Sequence, residues 1–164
     1  MEDVINLFKK AITGEVTAKS FYTLASDVTV NAEVSKIFLG ISIMEGDHAD
    51  TLIKKIANLK GVEQFDGQLF LDELLKQNKT IFAGGSEIIK NGTPKQALEF
   101  AISMEYKAKE TYDKLAEATD DLELKNACLE MAEEEAAHIQ QLTNILNSLD
   151  KWGGTLFLNT RTRS

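Results

Sequence analysis

One cysteine, one proline and two histidines are all that this chain of 164 residues contains of those types, and each scarcity closes off a class of protein. With Cys128 alone there is no disulfide framework and no Cys-x-x-Cys pair for a zinc or iron-sulfur module, so the thiol is expected to pack as a small core residue. No apolar run approaches the roughly 18 residues of a membrane-spanning helix, so no membrane association is expected. Met1, Glu2 and Asp3 are acidic where a secretory signal is basic, which makes the cytoplasm the expected location. Lys and Arg number 18 against 26 Asp and Glu, a formal charge of −8. Nucleic acid, which needs clustered basic residues to displace its counterions, is therefore not an expected partner, whereas cations are drawn to such a surface. With proline confined to Pro94, the chain is rich in Ala, Leu, Glu and Lys, residues that lose little rotamer freedom in a helix. An all-α fold is expected, in one domain large enough to bury a core without staples.

Helical periodicity runs through residues 2–28, 31–60, 93–118 and 121–150, with short breaks that make two antiparallel hairpins. Between them, residues 61–92 are too long for a simple turn and carry a short amphipathic piece over residues 69–82. Thr93 as cap, Pro94 at the first helical position and Gln96 as the partner of a capping box start the third helix. Asp120 and Asp121 start the fourth, with Glu123 in its first turn where the helix dipole favours a negative charge. Residues 151–164 are expected to form a tail beyond the bundle of residues 1–150.

The two histidines each follow a glutamate by three positions, in Glu45-Gly46-Asp47-His48 and Glu135-Ala136-Ala137-His138, and thirty residues before each motif stands another glutamate, Glu15 and Glu105. Further matches recur at the same offset of 90: Ala11 with Ala101, Ile12 with Ile102, Ala18 with Ala108, Lys19 with Lys109, Tyr22 with Tyr112 and Leu52 with Leu142. A duplicated helical hairpin explains the repeat, and two copies joined by a long crossover make a four-helix bundle.

Steps of three and four residues put each candidate donor on an apolar face: Phe8, Ile12, Glu15, Ala18 and Tyr22 in the first helix, and Phe38, Ile41, Glu45, His48 and Leu52 in the second. The third helix gives Leu98, Ile102, Glu105, Ala108 and Tyr112, and the fourth gives Cys128, Met131, Glu135, His138 and Leu142. Heights agree as well. Glu15 and Glu45 are centred on position 30, Glu105 and Glu135 on position 120, both in turns about 22 Å from the donors at a rise of 1.5 Å per residue. Four carboxylates in one buried layer need neutralising, since isolated buried ions cost several kcal/mol each. Two divalent cations balance the charge, and with two neutral imidazoles the donor set suits iron or manganese. Protonated carboxyls or Glu-His ion pairs in a metal-free bundle are the structural alternative. Glu134, beside the motif glutamate but off this face, is expected to be dispensable for metal binding.

A Glu from each of two helices with a Glu-x-x-His from each of the other two is the donor pattern of ferritin-like di-iron and di-manganese proteins. Gly14-Glu15, Ala18, Phe21-Tyr22, Leu24-Ala25 and Glu45-Gly46-Asp47-His48-Ala49, repeated through Glu105, Tyr112, Leu115-Ala116 and Glu135-Ala136-Ala137-His138, resemble the rubrerythrin family of that superfamily. The resemblance implies that Glu45 and Glu135 bridge two irons, that Glu15 and Glu105 are terminal ligands, and that His48 and His138 each cap one metal. It implies that Tyr22 and Tyr112 hydrogen-bond ligand carboxylates. It also implies reduction of hydrogen peroxide or dioxygen by two iron ions, with manganese or a mixed pair as alternatives. Two departures stand out. The Cys-x-x-Cys rubredoxin module is missing, so electrons are expected from a separate donor such as a rubredoxin, and the assembly expected is a homodimer. Where rubrerythrins carry an additional glutamate one turn beyond the terminal ligand, this chain has Ala108. The symmetric donor set is also similar to the ferroxidase centre of bacterioferritin, which makes iron storage the second expectation. Gly46 stands where that family's haem-binding Met would be, so no haem is expected. The third expectation is a non-catalytic metal-binding bundle.

Overall fold

The computed structural model describes residues 2–81, 83–152 and 156. They form α1 (Glu2–Val28), α2 (Ala32–Ala57), α3 (Gly67–Ile81), α4 (Ala83–Asn91), α5 (Pro94–Ala118) and α6 (Leu122–Asn147), followed by a 3-10 turn at Leu149–Trp152. The long helices start where local chemistry supplies acceptors for their first free N–H groups. Asn31 Oδ1 accepts from the backbone of Glu33 and Val34 at 3.0 and 3.1 Å, and Asp121 Oδ1 from Leu124 at 2.8 Å. Ahead of α5 the capping box is complete: Gln96 N–H donates to Thr93 Oγ1 at 3.1 Å while Thr93 N–H donates to Gln96 Oε1 at 2.9 Å.

Two helix ends differ from the periodicity. α2 stops at Ala57 rather than residue 60, because the Asn58 N–H turns back onto the carbonyls of Ile56 and Lys55 and the chain then passes through Gly61 at a left-handed φ of 86°. α6 stops at Asn147, where the Ser148 N–H closes onto Ile145 and Leu146 and the backbone tightens into the 3-10 turn. The crossover holds two helices in place of one amphipathic piece; of the expected range 69–82, position 82 lies outside the described residues. Most of the tail also lies outside them. Leu156, which is described, is fully buried against the core and its carbonyl accepts the Val30 N–H at 3.0 Å.

α1 packs along α2 and α5 along α6, and the hairpins meet through α1 with α5 and α2 with α6. Residues 18–25 of α1 share a core with residues 97–101 of α5, so those two helices run antiparallel and the two hairpin turns lie at opposite ends of the bundle. The end of α2 and the start of α5 are consequently a full bundle length apart. At 1.5 Å per residue, the 15 residues of α3 and the 9 of α4 span about 36 Å, against about 39 Å for a 26-residue bundle helix. A helical crossover covers that distance with its backbone hydrogen bonds satisfied.

The interior divides into two apolar layers. One, toward the turn after α5, holds Phe8, Ile12, Leu52, Leu115, Leu124 and Cys128, closed by Val62 and Leu74 from the crossover side. The other, toward the turn after α1, holds Phe21, Phe38, Ile41, Leu98, Leu142 and Ile145. Each fully buried side chain of this size contributes about 1.5–3 kcal/mol of transfer free energy. The polar donors lie between the layers, so both cores seal them from water. Cys128 behaves as expected, completely buried, with burial pushing its thiol up to about 12.

Candidate metal centre

All six sequence-predicted donors converge at mid-bundle. Glu15 comes from α1, Glu45 and His48 from α2, Glu105 from α5, and Glu135 and His138 from α6, and none is more than 4% exposed. Their donor atoms form two overlapping groups, Glu15, Glu45, His48 and Glu135 in one and Glu45, Glu105, Glu135 and His138 in the other, each with all atoms within 4.8 Å of one another. Glu45 and Glu135 belong to both. Each imidazole turns Nδ1 inward: His48 Nδ1 lies 3.0 Å from Glu135 Oε1 and 3.6 Å from Glu15 and Glu45, and His138 Nδ1 lies 3.0 Å from Glu135, 3.1 Å from Glu45 and 3.4 Å from Glu105.

Two buried tyrosines lock the terminal carboxylates crosswise. Tyr22 of α1 donates its hydroxyl to Glu105 Oε1 of α5, and Tyr112 of α5 donates to Glu15 Oε1 of α1. Burial, reinforced by the adjacent carboxylates, raises both phenols well above their ordinary range, so they remain donors.

The residues fit a pair of divalent ions on an observation independent of the sequence pattern. Among the described residues Glu15 Oε2, Glu45 Oε1, Glu135 Oε1 and His48 Nδ1 are buried without a hydrogen bond, although several have another donor atom close by. Unsatisfied buried acceptors are costly in a native core, and here four of them converge. Two divalent ions would satisfy them and balance the four carboxylates.

Without metal, protons do the neutralising. Burial, followed by the neighbouring carboxylates, raises Glu15 well above the usual carboxylate range, and burial likewise raises Glu105. Burial pushes Glu135 upward too, but the two imidazoles, each with Nδ1 3.0 Å from a Glu135 oxygen, hold it down at about 2, and Glu45 is lowered on the same balance. Burial favours neutral imidazole, yet the surrounding carboxylates win: His138 is raised to about 12 and His48 is raised as well. Ligation requires the deprotonated forms of the raised groups, so metal uptake is expected to release protons and to weaken as the pH falls. Titration in weakly buffered solution with a pH indicator measures this; uptake without proton release contradicts it.

Two contacts around the imidazoles were not legible as ligand chemistry in the sequence. His48 Nε2 bonds Glu134 Oε2 at 2.6 Å, although Glu134 is 46% exposed, whereas His138 Nε2 faces the Met44 Sδ at 3.4 Å. Positions 44 and 134 are equivalents at the offset of 90, so the pseudo-symmetric site has unlike outer partners. The only sequence signal was that offset, which sets Met44 against Glu134.

The centre is reached from outside by a cavity of about 420 Å³ between α1 and α5, with Glu15, Glu45 and Glu105 among its lining residues. Ala108, expected on the buried face, is half-buried because it lines this cavity, and Ile102 is half-buried as well. Gly46, on the opposite side of the layer, leaves room for the Lys19 side chain, whose Nζ lies 3.0 Å from where a Cβ would be.

A bundle of two antiparallel hairpins with this donor layer defines the ferritin-like class of carboxylate-bridged di-metal proteins. The chain matches the Rubrerythrin family over residues 6–78 and 96–163 and belongs to it. Its fold is similar to that of KatB, a manganese catalase from Anabaena PCC7120, with a TM-score of 0.65 and 25% identity over 88% of this chain and 70% of that one. A structure of wild-type KatB from Anabaena superposes with a TM-score of 0.64 and 23% identity over 96% of this chain and 78% of that one. No curated protein sequence matches the chain. Family and fold together support a di-metal oxidoreductase. No helix among the described residues is long and apolar enough to cross a membrane.

Proposed function

We propose that the protein is a di-iron oxidoreductase that reduces hydrogen peroxide or dioxygen with electrons from a separate donor protein such as a rubredoxin, working as a homodimer. The observation that carries this reading is the pair of overlapping donor groups that share Glu45 and Glu135. Glu15 and His48 would hold one ion and Glu105 and His138 the other, with Glu45 and Glu135, common to both groups, serving both. When bound, the two irons supply two electrons together, enough to cleave an O–O bond without a one-electron oxygen radical.

The chain's own groups do the rest. Tyr22 and Tyr112 fix the carboxylates of Glu105 and Glu15, so that these ligands cannot swing freely. The two apolar layers exclude bulk water above and below the centre, and the cavity between α1 and α5 supplies one side for substrate. Ala108 adds no carboxylate where rubrerythrins carry the additional glutamate, so the proposed ligand set is six residues.

Metal analysis and rapid mixing test the reading. About two irons per chain after loading, with fast reoxidation of the reduced protein by peroxide, are the expected result; a protein that stays metal-free after iron loading contradicts it. The likeness to a manganese catalase favours a second reading, in which a manganese pair disproportionates hydrogen peroxide with no external donor. Oxygen evolution from peroxide by the manganese-loaded protein, without reductant, distinguishes the two. Size-exclusion chromatography separates a homodimer from a storage cage.

A further inference from the structure

Hydrogen peroxide is a small, strongly hydrogen-bonding molecule, and the cavity beside the donor layer is poorly matched to it. Its volume of about 420 Å³ is more than ten times the ~30 Å³ share of one water. Ala11, Gly14 and Ala18 on α1 and Met104 and Ala108 on α5 supply much of its wall, with the exposed Lys9, Lys10 and Lys107 at its rim. Three threonines also line it, but their hydroxyl protons are committed elsewhere. Thr13 Oγ1 donates to the Lys9 carbonyl at 2.7 Å, Thr17 to Thr13 at 2.8 Å and Thr111 to Lys107 at 2.9 Å. None of those protons is available to hold a peroxide. The Tyr112 hydroxyl, also on the wall, is committed to Glu15. The space is therefore of the size and character that bury an organic group, at about 0.8 kcal/mol per methylene, and Glu15, Glu45 and Glu105 among its walls connect it to the candidate metal pair.

We infer that the cavity binds the organic group of an alkyl or aryl hydroperoxide and presents its peroxide end to the carboxylate layer. This rests on the peroxide-reducing reading of the site and narrows its substrate class. The reaction is R–O–O–H with two electrons and two protons giving R–OH and water. The O–O bond breaks, the peroxide is reduced, and the external electron-donor protein is oxidised by way of the site. Small residues at positions 14 and 108 line the space: Gly14 is exposed at its mouth and a Cβ built there meets no atom within 4 Å, so a larger side chain can cover the mouth without displacing a neighbour.

Gly14→Leu is the direct test. The substitution also improves helix propensity by roughly 0.8 kcal/mol, so the variant is expected to fold; Ala108→Leu obstructs the cavity from the opposite wall. Reduced, iron-loaded protein is mixed with cumene hydroperoxide and, separately, with hydrogen peroxide, and calorimetric titration with the product alcohol, 2-phenyl-2-propanol, reads binding independently of turnover. Wild-type protein is expected to be reoxidised by both peroxides and to bind the alcohol saturably. In Gly14→Leu the ratio of the cumene hydroperoxide rate to the hydrogen peroxide rate falls about tenfold or more, and the alcohol heat disappears. Reoxidation of wild type by hydrogen peroxide alone overturns the inference and leaves the peroxide reading standing. An unchanged ratio in both variants, or alcohol binding that survives both, overturns it as well. Reoxidation by neither peroxide overturns the peroxide reading and this inference with it.

Discussion

Glu45→Ala or Glu135→Ala is expected to reduce bound metal from about two ions per chain to at most one, with affinity for the remaining ion lowered by well over 100-fold. Each of these carboxylates belongs to both donor groups, so in the proposed centre removing either would take an oxygen from both ions at once and leave three carboxylates facing a charge of +4. Loss of a partner that only supports a ligand already costs about 10–100-fold in affinity, and these residues would be ligands themselves. The metal-free fold should survive. It loses stability, however: without metal Glu45 and Glu135 are the carboxylates that face the protonated imidazoles, and removing either leaves buried positive charge less compensated. Glu45→Gln, which keeps the volume, is the control: its metal-free melting temperature is expected to fall below that of the wild type near neutral pH, because the ionised Glu45 is favoured by the imidazoles beside it, and the rise in melting temperature on adding metal is lost as well. Metal analysis by mass spectrometry with thermal melts reads both arms. Two ions retained by either alanine variant would remove these residues from the bridge.

Glu134→Ala is expected to weaken one of the two metal-binding steps by about 10–100-fold and leave the other nearly unchanged. The 2.6 Å bond from His48 Nε2 to Glu134 fixes the proton on that nitrogen and leaves Nδ1 as the inward donor, raising its basicity toward a metal. His138 has only the Met44 thioether at 3.4 Å, a weak acceptor that orients its ring less firmly. Wild-type protein should therefore load in two distinguishable steps, first at the Glu15 and His48 half and then at the Glu105 and His138 half. In Glu134→Ala the steps merge, and Met44→Glu should tighten the second. Manganese titration followed by electron paramagnetic resonance separates a lone ion from a coupled pair. Two equal steps in wild type, or no change in Glu134→Ala, would show that the contact does nothing for the metal. Its place off the donor face makes Glu134 dispensable by helical spacing alone; its reach across to His48 changes that expectation.

The site's layer and register were legible because they depend on local rules. A rise of 1.5 Å per residue and a turn fixed by Asn31 or Asp121 determine which glutamates lie level, whatever the rest of the bundle does. Which hairpin each tyrosine serves was not legible: Tyr22 and Tyr112 stand two turns from Glu15 and Glu105 in their own helices but bond the glutamate of the other helix, a choice made by how α1 and α5 pack. The second crossover helix was not legible, since Gly84 and Gly85 have low helix propensity, which the need to span the bundle outweighs. Ala108 was placed on the core face by its spacing, which cannot reveal a gap between two helices.

The crosswise tyrosine bonds also bear on how the chain folds. They join residues 83 and 97 positions apart, so neither hairpin can complete its half of the site before the two halves dock. Contacts of such long sequence separation carry a large loop-closure cost and form late. Docking brings four carboxylates together, so the rate of the last folding step should depend on whether protons or metal ions arrive with them. The centre then acts as a kinetic latch on the bundle: a bound ion slows separation of the hairpins, and acid or metal alters the rate at which the closed protein opens.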